Sequence, residues 1–176
     1  MAAVTFAVTL IASPALHWGV GVGVLLALSH FLYWRMHPRI IEVGLHADGR
    51  LRDRKTWGLS PIDPHTYMVR MDAALDFGSA AALEQAIVDY LAANPEIKRV
   101  VLLAHAFNRI DATGVATFGR LRGQLAQDMR ELIVVGLKLP VERRLVNAGY
   151  LARGDFFKTY VTEAEMIASL NESAIS

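Results

Sequence analysis

The sequence predicts an α/β fold with a mixed, mainly parallel central sheet flanked by helices and preceded by one or two transmembrane helices. The first observation is that residues 1–34 contain no Asp, Glu, Lys or Arg, whereas all 18 basic and 17 acidic residues follow them. The second is that the rest of the chain alternates between short β-rich runs and amphipathic helical runs. Such alternation is typical of parallel strands joined by helices.

The uncharged head is predicted to be a membrane segment covering residues 1–35. As a helix, residues 15–34 would span about 30 Å, the thickness of a bilayer's hydrocarbon core. Residues 2–12 are apolar but too short to cross alone, and they are interpreted as a partial helix that ends at Ser13 and Pro14. A signal peptide is disfavoured because no basic residue precedes Arg35.

The residues around the spanning helix predict its orientation and a contact. Arg35, His37 and Arg39 follow it directly, and basic residues near the end of a span mark the cytoplasmic side. The chain is therefore expected in the cell membrane (the inner or plasma membrane), with its soluble domain in the cytoplasm. Gly19 and Gly23 lie four residues apart, a spacing that permits close packing against another membrane helix.

The soluble part is divided into a linker and first strand region at 36–65 and a domain core at 66–172, the domain as a whole covering about 38–172. Residues 50–65 are charged and proline-containing, which predicts a loop. The predicted strands are 40–45, 66–71, 100–104, 131–137 and 156–161. The predicted helices are 80–93, a helix that follows Asp111, 140–147, and a last helix that follows 162–165.

Capping residues support these helix boundaries. Ser79 and Asp111 are predicted N-caps, because short polar side chains can accept hydrogen bonds from the free N–H groups of a first turn. The sequence Thr-Glu-Ala-Glu at 162–165 has the pattern of a capping box. Gly149 suits the C-terminal end of the helix opened by Pro140.

Seven segments form a pattern that is more specific together than any one of them alone. They are FLYWR at 31–35 with Pro38 and Arg39, VRMD at 69–72, LDF at 75–77, RVVLL at 99–103, IDATG at 110–114, EL at 131–132 and TEA at 162–164. On these segments, and over nearly the whole chain, the sequence resembles the STAS-like α/β domain of SulP-type anion (sulfate) transporters, a fold shared with anti-sigma-factor antagonists.

The resemblance implies a cytoplasmic regulatory and interaction domain of a secondary anion transporter. Residues 1–34 would correspond to the last one or two membrane helices. The half-helices that bind the anion in this family precede that part, so the chain is expected to be a C-terminal fragment, or a truncated product, without the transport site. The implied partners are the remainder of the membrane domain, cytoplasmic proteins, membrane lipid and, in a homodimer, a second copy.

The same resemblance points to one regulatory and interaction site, at a helix N-terminus. In the related antagonists, a serine directly after the Asp at this turn is phosphorylated; here that position is Ala112, and Thr113 follows as the candidate phosphorylation site. Two interpretations stay open, a cap alone or a membrane-tethered phospho-switch of the anti-sigma-factor-antagonist kind. The predicted site consists of Asn108, Arg109, Asp111, Ala112, Thr113 and Gly114.

Other functional classes are disfavoured. The chain has no cysteine, and its net charge of +1 does not favour nucleic-acid binding. The six histidines do not follow a metal-ligand spacing, and neither a Gly-x-Ser-x-Gly elbow nor a phosphate-binding Gly-Lys-Ser/Thr loop occurs. The sequence therefore predicts no enzyme, no cofactor and no metal site. A basic cluster of Arg50, Arg52, Arg54 and Lys55 with Trp57 is compatible equally with headgroup contact and with a solvated loop.

Overall fold

A long apolar helix makes up most of the first of two units in this computed structural model, which describes residues 3–4, 6–7 and 16–173. The helix, α1, covers Leu16–Met36 and ends two residues later than predicted. Among the described residues it alone is long and apolar enough to cross a bilayer, judged by length and composition, and only 6% of that stretch is buried. The predicted partial helix 2–12 lies mostly outside the described residues.

The second unit begins at Pro38 and contains a six-stranded sheet in the order β2-β1-β3-β4-β5-β6. Strands β3 to β6 pair in parallel, whereas β1 pairs antiparallel with both β2 and β3. The predicted mixed, mainly parallel sheet is therefore confirmed. The strands are β1 Ile40–Leu45, β2 Leu51–Asp53, β3 Thr66–Met71, β4 Arg99–Leu103, β5 Glu131–Val135 and β6 Phe157–Tyr160.

The helices cover the two faces of the sheet unequally. Alternate residues of the central strands supply two separate buried clusters, because successive side chains of a strand point to opposite faces. One cluster includes buried residues of α3, α4 and α5, and the other includes Met166 and Leu170 of α6. The helices of this unit are α2 Arg54–Trp57, α3 Ala80–Ala93, α4 Ala112–Gln127, α5 Leu139–Asn147 and α6 Glu163–Ser173.

The predicted loop at 50–65 is wrong in its first half, which contains β2 and α2. Asp53 ends the strand and caps the short helix, since its carboxylate accepts hydrogen bonds from the N–H groups of Lys55 and Thr56, both at 3.1 Å. Gly58, at φ 60°, ends that helix in the left-handed conformation. Elements of three and four residues are too short to show a hydrophobic period, so sequence patterns do not reveal them.

The predicted N-cap role of Ser79 is also wrong, although α3 begins where expected. The Ser79 hydroxyl makes no capping hydrogen bond to the helix. It donates instead to the carbonyl of Ala74 and accepts a 3.1 Å hydrogen bond from the N–H of Asp76. A side chain that can cap a helix can also close a local turn, and here the turn of the preceding loop takes the hydroxyl.

A polar cluster fastens strands β1 and β3 to α2 and α3. Glu42 of β1 accepts hydrogen bonds from the Arg54 guanidinium and, at 2.9 Å, from the Tyr90 hydroxyl. The Tyr90 ring stacks on that of Tyr67 with 3.7 Å between centroids. Burial raises the pKa of the Tyr67 phenol, and the Glu42 charge raises it further. The cluster joins β1, α2, β3 and α3 with its phenols protonated at neutral pH.

Candidate functional site

The predicted site lies where the parallel strands β3 and β4 end. Residues 72–79 connect β3 to α3, and residues 104–111 connect β4 to α4. The Leu75 N–H donates to the Arg109 carbonyl at 3.0 Å, and the Asp111 N–H donates to the Leu75 carbonyl at 3.3 Å. These bonds form a parallel bridge between Leu75 and Ile110, so the pairing of the two strands continues into their loops.

The Asp111 carboxylate joins the two loops to the start of α4. One oxygen accepts a 2.8 Å hydrogen bond from the Gly114 N–H and caps the helix, which confirms the predicted N-cap. The other accepts a 2.9 Å hydrogen bond from the Phe77 N–H in the neighbouring loop. Partial burial raises the pKa of the Asp111 carboxyl, but these N–H donors, that of Thr113 and the Arg109 charge outweigh it, so the pKa is lowered overall.

Gly114 occupies a position with no room for a side chain. A Cβ atom built there would lie 2.1 Å from the Leu75 carbonyl oxygen, a backbone atom that the bridge with Ile110 holds in place. The helix start can therefore approach the neighbouring loop this closely only with glycine at this position. The sequence marks Gly114 as part of a motif, whereas the structure supplies its steric reason.

The surface of the site combines predicted residues with Phe77, which belongs to the LDF segment at 75–77 but was not predicted to be a site residue. Ala112 and Thr113 are exposed in the first turn of α4, and Asn108 and Arg109 are exposed in the loop before it. Phe77 adds a large apolar side chain that is 59% exposed and whose N–H is bonded to Asp111. A phenylalanine in a loop directly after a buried strand is the signal that could have drawn attention to it.

Three further polar contacts stabilise the loop before α4. The Asp76 side chain is buried, and its carboxylate lies 3.5 Å from the Arg109 guanidinium. The Lys138 ammonium contacts the Asn108 amide oxygen, and Arg144 of α5 donates to the Ile110 carbonyl at 2.7 Å. The loop from β5 to α5 thus supports the loop before α4, and the helix start is held in a fixed geometry.

The remaining singled-out residues lie elsewhere. Gly19 and Gly23 belong to α1, in the other unit. The His105 ring packs against Gly136, where a Cβ would lie 2.2 Å from the ring nitrogen Nε2, and its Nδ1 is 3.7 Å from the Glu163 carboxylate. Over the part of the chain that the structure describes, no three His, Asp or Glu side chains come together as a metal site would require. The Asp111 carboxylate holds the backbone N–H groups of Gly114 and Phe77, and the residues around it form an exposed surface.

Comparisons with known proteins agree on the fold. The profile described as STAS domain matches residues 60–166. The structure is similar to that of the murine Solute Carrier 26 family member A9 anion transporter in the inward-facing state, with a TM-score of 0.76 and 15% identity. That similarity covers 98% of this chain but only 28% of the transporter chain. No curated protein matches the sequence.

Two further solved structures resemble part of this chain. A sulfate transporter family protein from Wolinella succinogenes matches with a TM-score of 0.57 and 15% identity, over 71% of this chain and all of that chain. The anti-sigma factor antagonist SpoIIAA in its unphosphorylated form matches with a TM-score of 0.51 and 18% identity, over 64% of this chain and 94% of that one. At these identities the similarity shows the fold alone.

We predict that the stability contributed by Asp111 depends on pH. Asp111→Ala removes both bonds, so the free energy of unfolding should fall by about 1 kcal/mol or more, and Asp111→Asn, which keeps an accepting oxygen, should cost less. Because the folded pKa is lowered, the advantage of the wild type over Asp111→Asn is complete at neutral pH and is lost as the pH falls through that pKa. Urea unfolding of the wild type and of Asp111→Asn, measured from neutral to acidic pH, tests this. An advantage that stays constant with pH contradicts it.

A second prediction compares two glycines of α4. Gly114→Ala should destabilise the domain strongly, because the new methyl group collides with the Leu75 carbonyl oxygen. Gly123→Ala, on the same helix with nothing within 4 Å of the added Cβ, should stabilise it by about 0.5–1 kcal/mol through helix propensity. Thermal unfolding of both variants measures the contrast. Equal effects would show that the close approach at Gly114 is not required.

Proposed function

Because this chain belongs to the STAS domain family, we propose that its second unit is the cytoplasmic regulatory and interaction domain of a SulP-type secondary anion transporter. In this proposal residues 1–35 form the membrane segment and about 38–172 the domain. The partner is the remainder of the transporter's membrane domain, the location is the cell membrane, and the work of the domain is binding rather than catalysis.

The observation that supports this proposal most is the order of parts in the structural match. The similarity to the murine anion transporter extends over 98% of this chain, and so includes the apolar helix as well as the domain that follows it. The chain spans 28% of that transporter. In this proposal, anion transport is carried out by the larger assembly to which the domain belongs. Length and composition of α1 are compatible with its place in a membrane.

The candidate site suits contact with another protein. An exposed aromatic side chain, here Phe77, is the residue type enriched at the centres of protein interfaces. Ala112 and Thr113 add two small exposed side chains at the start of α4, which Asp111 links to the backbone of Phe77. Asp111 and Gly114 keep both parts in one arrangement before a partner arrives, which lowers the entropy lost on binding.

We expect the full chain to bind a SulP-type membrane domain whose own STAS domain has been removed, and to change its rate of sulfate uptake in proteoliposomes. Phe77→Ala should weaken that binding by about tenfold, the loss of one interface anchor. Val161→Ala is the matched control, since Val161 is 78% exposed and lies outside the site. Cross-linking yield and sulfate uptake measure the two effects. Absence of binding, or an equal loss with both variants, contradicts the proposal.

A second candidate function is a membrane-tethered phospho-switch of the anti-sigma-factor-antagonist kind. Its specific support is the exposed hydroxyl of Thr113, which lies in the first turn of α4, where the helix dipole stabilises a phosphate. Incubation with a kinase of such antagonists, followed by mass measurement, tests it. Ala112→Ser serves as the positive control and Thr113→Val as the negative one. Stoichiometric modification of Thr113 in the natural sequence favours the switch, and modification of Ala112→Ser alone argues against it.

A further inference from the structure

We propose that the segment from the β1–β2 turn through α2 binds the anionic headgroups of phospholipids. The surface consists of Arg50, Arg52, Lys55 and Trp57, and it is called the hairpin patch below. It is separate from the candidate interface at Asp111. The proposal rests on the proposed membrane attachment of α1, because that attachment brings a lipid surface within reach.

The charge of the chain is concentrated around this patch. Residues 35–57 contain six of the 18 basic residues and three of the 17 acidic ones, which gives them a net charge of +3. Since the whole chain has a net charge of +1, everything outside this stretch sums to −2. An anionic surface therefore attracts this part of the chain and repels the rest, which orients the domain on such a surface.

The patch is built around an exposed tryptophan. The Trp57 side chain is 51% exposed, and the Arg52 guanidinium lies 4.4 Å from the centre of its ring. The His46 ring meets the same indole edge-on, with 5.2 Å between centroids. An indole next to a guanidinium offers an apolar body and a polar, cationic tip at one place. This combination suits the headgroup level of a bilayer.

Asp48 holds the turn of the patch and is paired with a cation in doing so. The Asp48 carboxylate accepts a 3.0 Å hydrogen bond from the Arg50 N–H and a 2.6 Å hydrogen bond from the Arg52 guanidinium. The Arg50 N–H and the Arg52 side chain, with a smaller contribution from His46, lower the pKa of Asp48 to about 2 against the opposing effect of burial. Asp48 thus stays charged and paired at neutral pH, and it fixes the turn.

Two cations of the patch remain free to bind an anion. In the described part of the chain, no acidic side chain pairs with Arg50 or Lys55, and both residues are exposed. The neighbouring Arg39 and Arg54 are engaged, by Asp53 at 3.1 Å and by Glu42 respectively. The paired charges therefore hold the turn and the short helix, while Arg50 and Lys55 stay exposed and, in the described part of the chain, have no acidic partner.

The position of the patch in the sequence supports lipid as its ligand. Only residues 37–39 connect α1 to β1, and the patch begins five residues after that strand ends. A short connection to a membrane-embedded helix gives the lipid surface a high effective concentration. Weak individual headgroup contacts then suffice for binding.

The test uses the full chain in lipid nanodiscs and makes Trp57 its single fluorophore. The chain has three tryptophans, so Trp18→Phe with Trp34→Phe leaves only Trp57. Discs contain phosphatidylcholine alone or phosphatidylcholine with phosphatidylglycerol, each with a trace of lipid that carries a nitroxide on its headgroup. We expect quenching and a blue shift of Trp57 emission in the anionic discs, little in the neutral ones, and reversal at high salt.

Charge-reversal variants separate the patch from general attraction. Arg50→Glu with Lys55→Glu should weaken the response to anionic lipid by about tenfold or more. Lys98→Glu with Arg143→Glu is the matched control, because it makes the same charge change at exposed positions outside the patch. An equal loss in the control, or equal quenching in both kinds of disc, overturns the proposal. If the chain enters the discs but Trp57 emission does not change with anionic lipid, only the proposed headgroup binding is wrong. If the chain does not enter the discs, the proposed membrane attachment is wrong as well.

Discussion

The carboxylate of Asp111 joins the loop after β3 to the start of α4, the two parts of the candidate interface. It accepts hydrogen bonds from Gly114 in α4 and from Phe77 in the loop after β3, so it ties the start of one helix to the loop that leads into another. The bridge between Leu75 and Ile110 holds the two loops together, and Asp111 adds the link from these loops to α4. The exposed aromatic ring and the first turn of α4 are therefore connected through one ionised group, which the surrounding N–H donors keep deprotonated.

The parallel strands make this connection possible. Strands β3 and β4 end at the same edge of the sheet, and the bridge between Leu75 and Ile110 continues their pairing beyond the strands. This bridge also places the Leu75 carbonyl against Gly114 and limits that position to glycine. Steric fit and hydrogen bonding therefore act together: the glycine allows the approach, and the carboxylate holds it.

The two proposed surfaces of the domain share one feature: an ionised carboxylate fixes the local backbone, while other side chains stay exposed for binding. At Asp111, satisfied polar groups underneath present an apolar ring and small residues, which suits a protein partner. At the hairpin patch, Asp48 fixes the turn, the Arg52 guanidinium lies against the Trp57 ring, and Arg50 and Lys55 stay exposed, which suits an anionic lipid surface. In both, the groups that build the geometry are paired, and those available for binding stay exposed.

The sequence by itself determined the large-scale plan: an uncharged helix followed by alternating strands and helices, and Asp111 as the cap of α4. These features depend on local composition and on periods of two and 3.6 residues, which a single chain displays directly. Only the tertiary structure decided that Phe77 belongs to the site, that Ser79 closes a turn instead of capping α3, and that residues 51–57 form β2 and α2. Phe77 joins the site through Asp111, 34 residues away, and this contact exists only once the sheet brings β3 and β4 together. Residues 51–57 form elements too short to show a period. The Ser79 hydroxyl could serve either of two local partners, and the sequence pattern does not distinguish a helix cap from a turn.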